Sequence, residues 1–259
     1  MLKAMKEAAT AAGRLILQAR PAPADIEAKE GRGNFVTLWD LRVQEYLQAA
    51  LAKACPEASF MGEEGGNRAA AGESLMFIVD PIDGTKNFIN GSRHSCVSVA
   101  LAQNGRVQAG VVYNPYQNEL FWAQAGASAF CNGQPLCTAD NSLHNSIVHF
   151  GGPCYNRSLT DPTFALLRRF FDNAEDLRCT GSAALDICYV AAARCDVFFE
   201  LLLCPWDYAA ASLILQEAGG VIQTLAGDAP SLVQDSSILA ASPAALRDIQ
   251  ELGLLAGIC

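Results

Sequence analysis

The stretch LMFIVDPIDGTKNF, residues 75–88, runs from five apolar residues into two aspartates and then a Gly-Thr pair. An unbroken apolar run of that length reads as a strand buried on both faces. The residue before a proline is biased to an extended conformation, so Asp80 falls at the strand's end and Pro81 stops the ladder. Asp83-Gly84 is a turn dipeptide, and Thr85 opens a short helix whose free N–H groups suit a phosphate. Two carboxylates and an anion cradle then share one small volume. Left alone, the carboxylates would repel and raise each other's pKa, and a hard divalent cation is the natural remedy.

Around this stretch the pattern is that of a layered mixed protein. Residues 2–20 and 40–55 read as amphipathic helices closed by Pro21 and Pro56, and EAKEGRGNFV between them reads as a hairpin around Gly31 and Gly33. From 75 to about 131, short apolar runs alternate with Gly, Asn and Pro turns, the mark of an antiparallel sheet. Beyond residue 140 the readings alternate: helices at PTFALLRRFFD, AALDICYVAAAR, WDYAAASLILQEA and PAALRDIQEL, strands at CDVFFEL, GVIQTL and SSILAA. The expected organisation is an N-terminal α+β half over 1–140 and a C-terminal α/β half over 141–259 that completes the site. Residues 145–178 carry no recognisable word, and a loop over the mouth of the site, with Arg157 reaching an anion, competes there with a plain connection.

Composition narrows the chemistry. The net charge of −9 argues against nucleic acid or an anionic membrane as partner. Three histidines leave few candidates for imidazole chemistry, and ten scattered cysteines without C-x-x-C read as reduced, mostly buried thiols. No signal region and no apolar stretch of roughly 18 residues is present, so the expectation is a soluble, cytoplasmic protein. Oxygen ligands alone suit magnesium or manganese rather than zinc, and Cys204 reads as a packing residue.

Four further words complete the picture: GEE at 62–64, GSAA at 181–184, WDYAAASLILQEAGG at 206–220 and FVTLWD at 35–40. Together with DPIDGT at 80–85 they resemble the inositol monophosphatase family of magnesium-dependent, lithium-sensitive phosphatases. The resemblance implies a layered αβαβα fold, commonly a homodimer, and two to three magnesium ions, with manganese as a substitute. It implies Glu63, Asp80 and the Ile82 carbonyl as ligands of a first ion, and Asp80, Asp83 and Asp207 as ligands of a second. Gly84 and Thr85 match the phosphate-holding turn. Asp40 matches the aspartate that pairs with that threonine to activate water, with Glu63 alongside, and Lys29 falls near the phosphate. Gly181, Ala183 and Glu200 match positions lining the polyol.

The implied activity is hydrolysis of inositol 1-phosphate or a similar polyol or sugar phosphate. Adenosine 3′,5′-bisphosphate or fructose 1,6-bisphosphate hydrolysis is the alternative, and a non-catalytic homologue the remote one. Lys86 stands where nucleotide bisphosphatases often carry lysine, although a solvent-exposed side chain or a local ion pair is the plainer expectation. Asn87 departs from the acid usual in that branch. Trp39 reads as packing at a helix entry. A haloacid-dehalogenase mechanism is excluded because Pro81 occupies the nucleophile's position, and SRHS at 92–95 lacks a nucleophile elbow.

Overall fold

The computed structural model describes residues 1–29, 34–65 and 75–258. In chain order, α1 (Leu2–Gln18) leads to β1 (Ile26–Ala28) and β2 (Phe35–Thr37), then α2 (Leu38–Ala54), β3 (Ser59–Gly62), β4 (Leu75–Asp83) and α3 (Thr85–Asn90). The strands β5 (Cys96–Gln103), β6 (Arg106–Asn114), β7 (Glu119–Gln124), β8 (Phe130–Cys131) and β9 (Gln134–Pro135) follow as a meander. Next come β10 (Ile147–Phe150), α4 (Thr160–Asn173), β11 (Asp176–Arg178), α5 (Ala183–Ala191), β12 (Val197–Leu203) and α6 (Pro205–Glu217). The described chain closes with β13 (Val221–Gln223), β14 (Ser236–Ala241) and α7 (Pro243–Glu251).

A seven-stranded sheet runs β3-β4-β5-β6-β7-β8-β9, antiparallel except for the parallel β3–β4 pair. A five-stranded sheet runs β11-β10-β12-β14-β13. The residues that decide their stacking are those that alternate. In β4, Phe77 and Val79 join the core under α1 and α2, whereas Met76 and Ile78 join the core shared with α5 and α6. In β12, Phe198 faces that same central core while Val197 and Phe199 pack beneath α4 and α7. A two-residue side-chain period with both faces apolar places each sheet between two helical layers. The result is α1/α2, sheet, α5/α6, sheet, α4/α7, the layered αβαβα arrangement. Gly110 lets the central layer approach: a Cβ there would lie 2.4 Å from the Ala210 carbonyl oxygen of α6.

Several readings change. β4 does not stop at Pro81; a bulge between Asp80 and Asp83 lets the strand resume, with Asp83 opposite Cys96. The segment 145–178 contributes two strands, β10 and β11, which pair in parallel. β1 and β2 pair antiparallel as the expected hairpin, while its turn at Gly31 and Gly33 lies outside the described residues. The nine described cysteines are free, but only Cys55, Cys96, Cys188 and Cys195 are buried, and Cys137 and Cys179 are exposed. Trp39 is partly buried against the α1/α2 core, with the Arg42 guanidinium 5.1 Å from its ring.

Candidate active site

The bulge in β4 turns both of its aspartates toward a cleft of about 1110 Å³ between the two sheets. Asp80 accepts the Ile82 N–H at 2.9 Å, which fixes its rotamer. Asp83 accepts from Ser182 Oγ at 2.6 Å and from the Ala184 N–H at 2.8 Å, so it joins the bulge to the start of α5. Asp207 sits in the first turn of α6 behind Pro205 and accepts the Cys204 N–H at 2.7 Å. Glu63 follows β3, which the parallel pairing sets beside β4. Each carboxylate is thus oriented by a neighbour, the arrangement that holds ligands ready for a metal.

Electrostatics points the same way. Burial raises the Asp80 pKa well above the ordinary carboxylate range, and the charges of Glu63, Asp83, Asp207 and Asp40 raise it further. Asp207 is pushed up by burial, Asp83 and Glu63. Asp83 rises to about 6 through burial despite its hydrogen bonds from Ser182 and Ala184. Lys29 bridges Glu63 at 2.9 Å and Glu64 at 2.6 Å, yet burial still raises Glu63, so one ammonium offsets only part of the charge. Among the described residues no three acids, histidines or cysteines already close on one point. The fit for a metal rests instead on an all-oxygen donor set whose buried charge is under-compensated, which is the chemistry a hard divalent cation answers.

The Gly84–Thr85 turn and Asp40 lie alongside. Gly84 adopts φ 89° and caps α3. The Thr85 hydroxyl lies 3.1 Å from the Ile82 carbonyl oxygen and 3.3 Å from Asp40 Oδ1. Asp40 owes its place to a helix-start device: Thr37 caps α2 and gives Asp40 Oδ2 both its N–H at 2.8 Å and its hydroxyl at 2.5 Å. Burial lifts the Asp40 pKa to about 6 against those hydrogen bonds. Gly181, Ala183 and Glu200 line the same cleft. Burial, then Asp83 and Asp186, raise the Glu200 pKa well above its ordinary value. All the site residues expected from the sequence, Asp40 excepted, are in the cleft wall, and Asp40 reaches it through Thr85.

Two features escaped the sequence reading. Asn87 donates from Nδ2 to the carbonyls of His94 at 2.8 Å, Thr180 at 2.8 Å and Gly181 at 3.2 Å, clamping α3 to the segment that leads into α5. Asn87→Asp replaces these donors with a carboxylate facing three carbonyl oxygens. We expect it to lower stability by about 1–3 kcal/mol and to raise KM, checked by thermal melting and steady-state kinetics. Thr180 is itself held by Asp186, which also meets His149 Nδ1 at 2.6 Å. Second, Lys86 is neither in free solvent nor ion-paired as expected: its Nζ lies 4.4 Å from the centre of the Tyr155 ring. Tyr155 belongs to the 151–159 loop, whose Gly151-to-Asn156 part lines the cleft while Arg157 does not.

A layered αβαβα molecule with an acidic, oxygen-lined cleft beside a glycine-threonine anion turn has the make-up of a phosphatase-type fold. Comparison with known proteins agrees: the inositol monophosphatase family pattern matches residues 1–254, and the chain belongs to that family. Nus factor SuhB of Escherichia coli K12 is 37% identical over 229 residues, 88% of this chain and 86% of that protein. The extragenic suppressor protein suhB from Bartonella henselae superposes with a TM-score of 0.89 at 31% identity, covering 98% of each chain. Inositol monophosphate-bound SaIMPase-II superposes with a TM-score of 0.81 at 25% identity, over 97% of this chain and 93% of that one.

These relatives correct one expectation. The net charge argued against any nucleic-acid partner, but relatives of this similarity are named Nus factor, a name from the transcription machinery. Net charge is a sum over the whole surface, while contacts are decided within a screening length of about 10 Å. An acidic chain can therefore carry local basic faces or enter such machinery through protein contacts. No described helix is long and apolar enough to cross a membrane.

Proposed function

We propose that the protein is a magnesium-dependent phosphomonoesterase acting on inositol 1-phosphate or a related polyol or sugar phosphate. The observation that carries this reading is the gathering of Glu63, Asp80, Asp83 and Asp207 beside the Gly84–Thr85 turn, with buried charge that the Lys29 ammonium offsets only in part. Those four side chains and the Ile82 carbonyl would hold the metal, with manganese as a substitute and lithium as an inhibitor. When bound, the metal supplies charge neutralisation at the phosphoryl oxygens, activation of the attacking water and stabilisation of the leaving alkoxide.

The chain's own residues supply position and proton transfer. Gly84 and Thr85 hold the phosphate by their N–H groups. The Thr85 hydroxyl accepts a proton from the attacking water while its own proton passes to Asp40 Oδ1, 3.3 Å away. With a pKa of about 6, Asp40 is ionised near neutrality yet basic enough to take that proton. Glu200 offers its carboxyl oxygens to the hydroxyls of the polyol. The inositol monophosphate bound by SaIMPase-II supports this substrate class.

The test is phosphate release with magnesium from inositol 1-phosphate, fructose 1,6-bisphosphate, adenosine 3′,5′-bisphosphate and histidinol phosphate. Inositol 1-phosphate is expected to lead, and Asp40→Asn to lower kcat by roughly 10²–10⁴-fold. A bisphosphate leading overturns the substrate class, and no release from any compound overturns the enzyme reading. A second reading comes from the name of the relatives, a role like that of Nus factor SuhB. The two are separable, because Asp40→Asn removes hydrolysis while leaving the molecular surface intact.

A further inference from the structure

Lys29 and Lys86 are the cationic side chains among the described residues that line the cleft. Lys29 is already bonded to Glu63 and Glu64. A substrate carrying a second phosphate would therefore depend on Lys86, one residue beyond the phosphate turn. That ammonium is not waiting for an anion: it lies over the face of Tyr155, 4.4 Å from the ring centre. The ring's negative face attracts the cation, an attraction that shifts an equilibrium by about 3- to 30-fold depending on how dry the contact is.

Tyr155 is suited to this position. It rises from the 151–159 loop at the mouth of the cleft and is 54% exposed. Burial and the charges of Asp207, Glu63 and Glu200 hold its phenol above its ordinary range. Asp235 and Glu200 add acidic groups to the same wall. A second phosphate entering here meets carboxylates and an ammonium already engaged, whereas a polyol meets hydroxyl-bonding groups.

Building on the phosphatase reading of the site, we propose that Lys86 and Tyr155 form a specificity-determining pair: the ring withholds the ammonium from a second phosphate and so favours monoesters of uncharged polyols over bisphosphates. The pair does not touch the reacting phosphate; it decides what the rest of the substrate is allowed to be.

The test is the ratio of kcat/KM for fructose 1,6-bisphosphate to that for inositol 1-phosphate. Tyr155→Ala frees the ammonium and is expected to raise this ratio by about 3- to 30-fold. Tyr155→Phe keeps the ring and is expected to stay within about twofold of wild type, and adding Lys86→Met to Tyr155→Ala is expected to cancel the gain. Lys86→Met alone should leave the ratio unchanged, because the wild-type ammonium is already withheld. The proposal is overturned by an unchanged ratio in Tyr155→Ala, by a gain that persists in the double variant, or by a tenfold fall (~10-fold) in Lys86→Met alone. If wild type releases phosphate from neither compound, the activity reading fails, and the same ratio is then read as Kd by calorimetry on the unreacting complexes. A Kd ratio that shifts as expected sustains the pair on its own, and one that does not shift overturns it.

Discussion

Magnesium is expected to raise the melting temperature of the wild-type protein by roughly 5–10 °C at about 100 times its Kd, and that of Asp80→Asn by about 1 °C or less. The reason is the charge cluster: Asp80 is buried among Glu63, Asp83, Asp207 and Asp40, each of which disfavours its ionised form. A cation that binds only the folded protein relieves this repulsion, and Asp80, shared between the two implied ion positions, is the side chain whose loss harms binding most. Without metal, Asp80→Asn should melt higher than wild type, because one of the mutually repelling carboxylates has become neutral.

The same experiment has a defined pH dependence. The folded-state pKa values of Asp40 and Asp83, about 6, lie above the ordinary aspartate value of 3.8. Their contribution to the stability of the metal-free protein is therefore fully present below the unfolded value and is lost as pH rises through about 6. Metal binding needs the ionised carboxylates, so the melting-temperature gain from magnesium should grow from about pH 5 to about pH 8. An equal gain in wild type and Asp80→Asn, or a gain that falls over that interval, would sink the metal assignment.

Gly84→Ala should abolish phosphate release more than about 100-fold and lower stability by about 1–3 kcal/mol. Gly84 has φ 89°, a conformation that a Cβ makes unfavourable. The new Cβ would also lie 3.0 Å from the His94 carbonyl oxygen and 3.1 Å from that of Gly181. Both contacts are main chain, and Asn87 holds both carbonyls in place, so neither can yield cheaply. Relief requires the turn to move, and an anion cradle displaced by about an ångström loses its alignment with the attacking water. Thermal melting and phosphate-release kinetics measured together check this; wild-type activity in Gly84→Ala would remove the turn from the phosphate site.

The residues most legible in the sequence are those whose role is set within a few positions of chain. A turn glycine after Asp83 and an aspartate in the first turn of α6 are local demands, and local words reveal them, whereas the Thr37 cap that places Asp40 emerged only from the structure. The continuous apolar run at 75–79 likewise announces a strand covered on both faces. The short strands at 147–150 and 176–178 were not legible, because three or four residues carry too little periodicity and their hydrogen bonds come from β12 and from each other. The bulge at Asp80–Asp83 was hidden for a related reason: Pro81 reads as a stop, and only pairing of Asp83 with Cys96 shows that the ladder resumes.

By itself, then, the sequence made the Asp80–Asp83 pair and the Gly84–Thr85 turn legible through local backbone preferences, whereas Glu63 and Asp207 as members of the acid set, and the layered αβαβα class, were legible only through the resemblance to the inositol monophosphatase family. Tertiary structure alone decided how Asn87 meets Thr180, 93 positions away, and how Lys86 comes to lie on Tyr155 rather than in solvent. Contacts of that kind depend on how two sheets and three helical layers pack, and no local pattern encodes where a distant loop will set one side chain down.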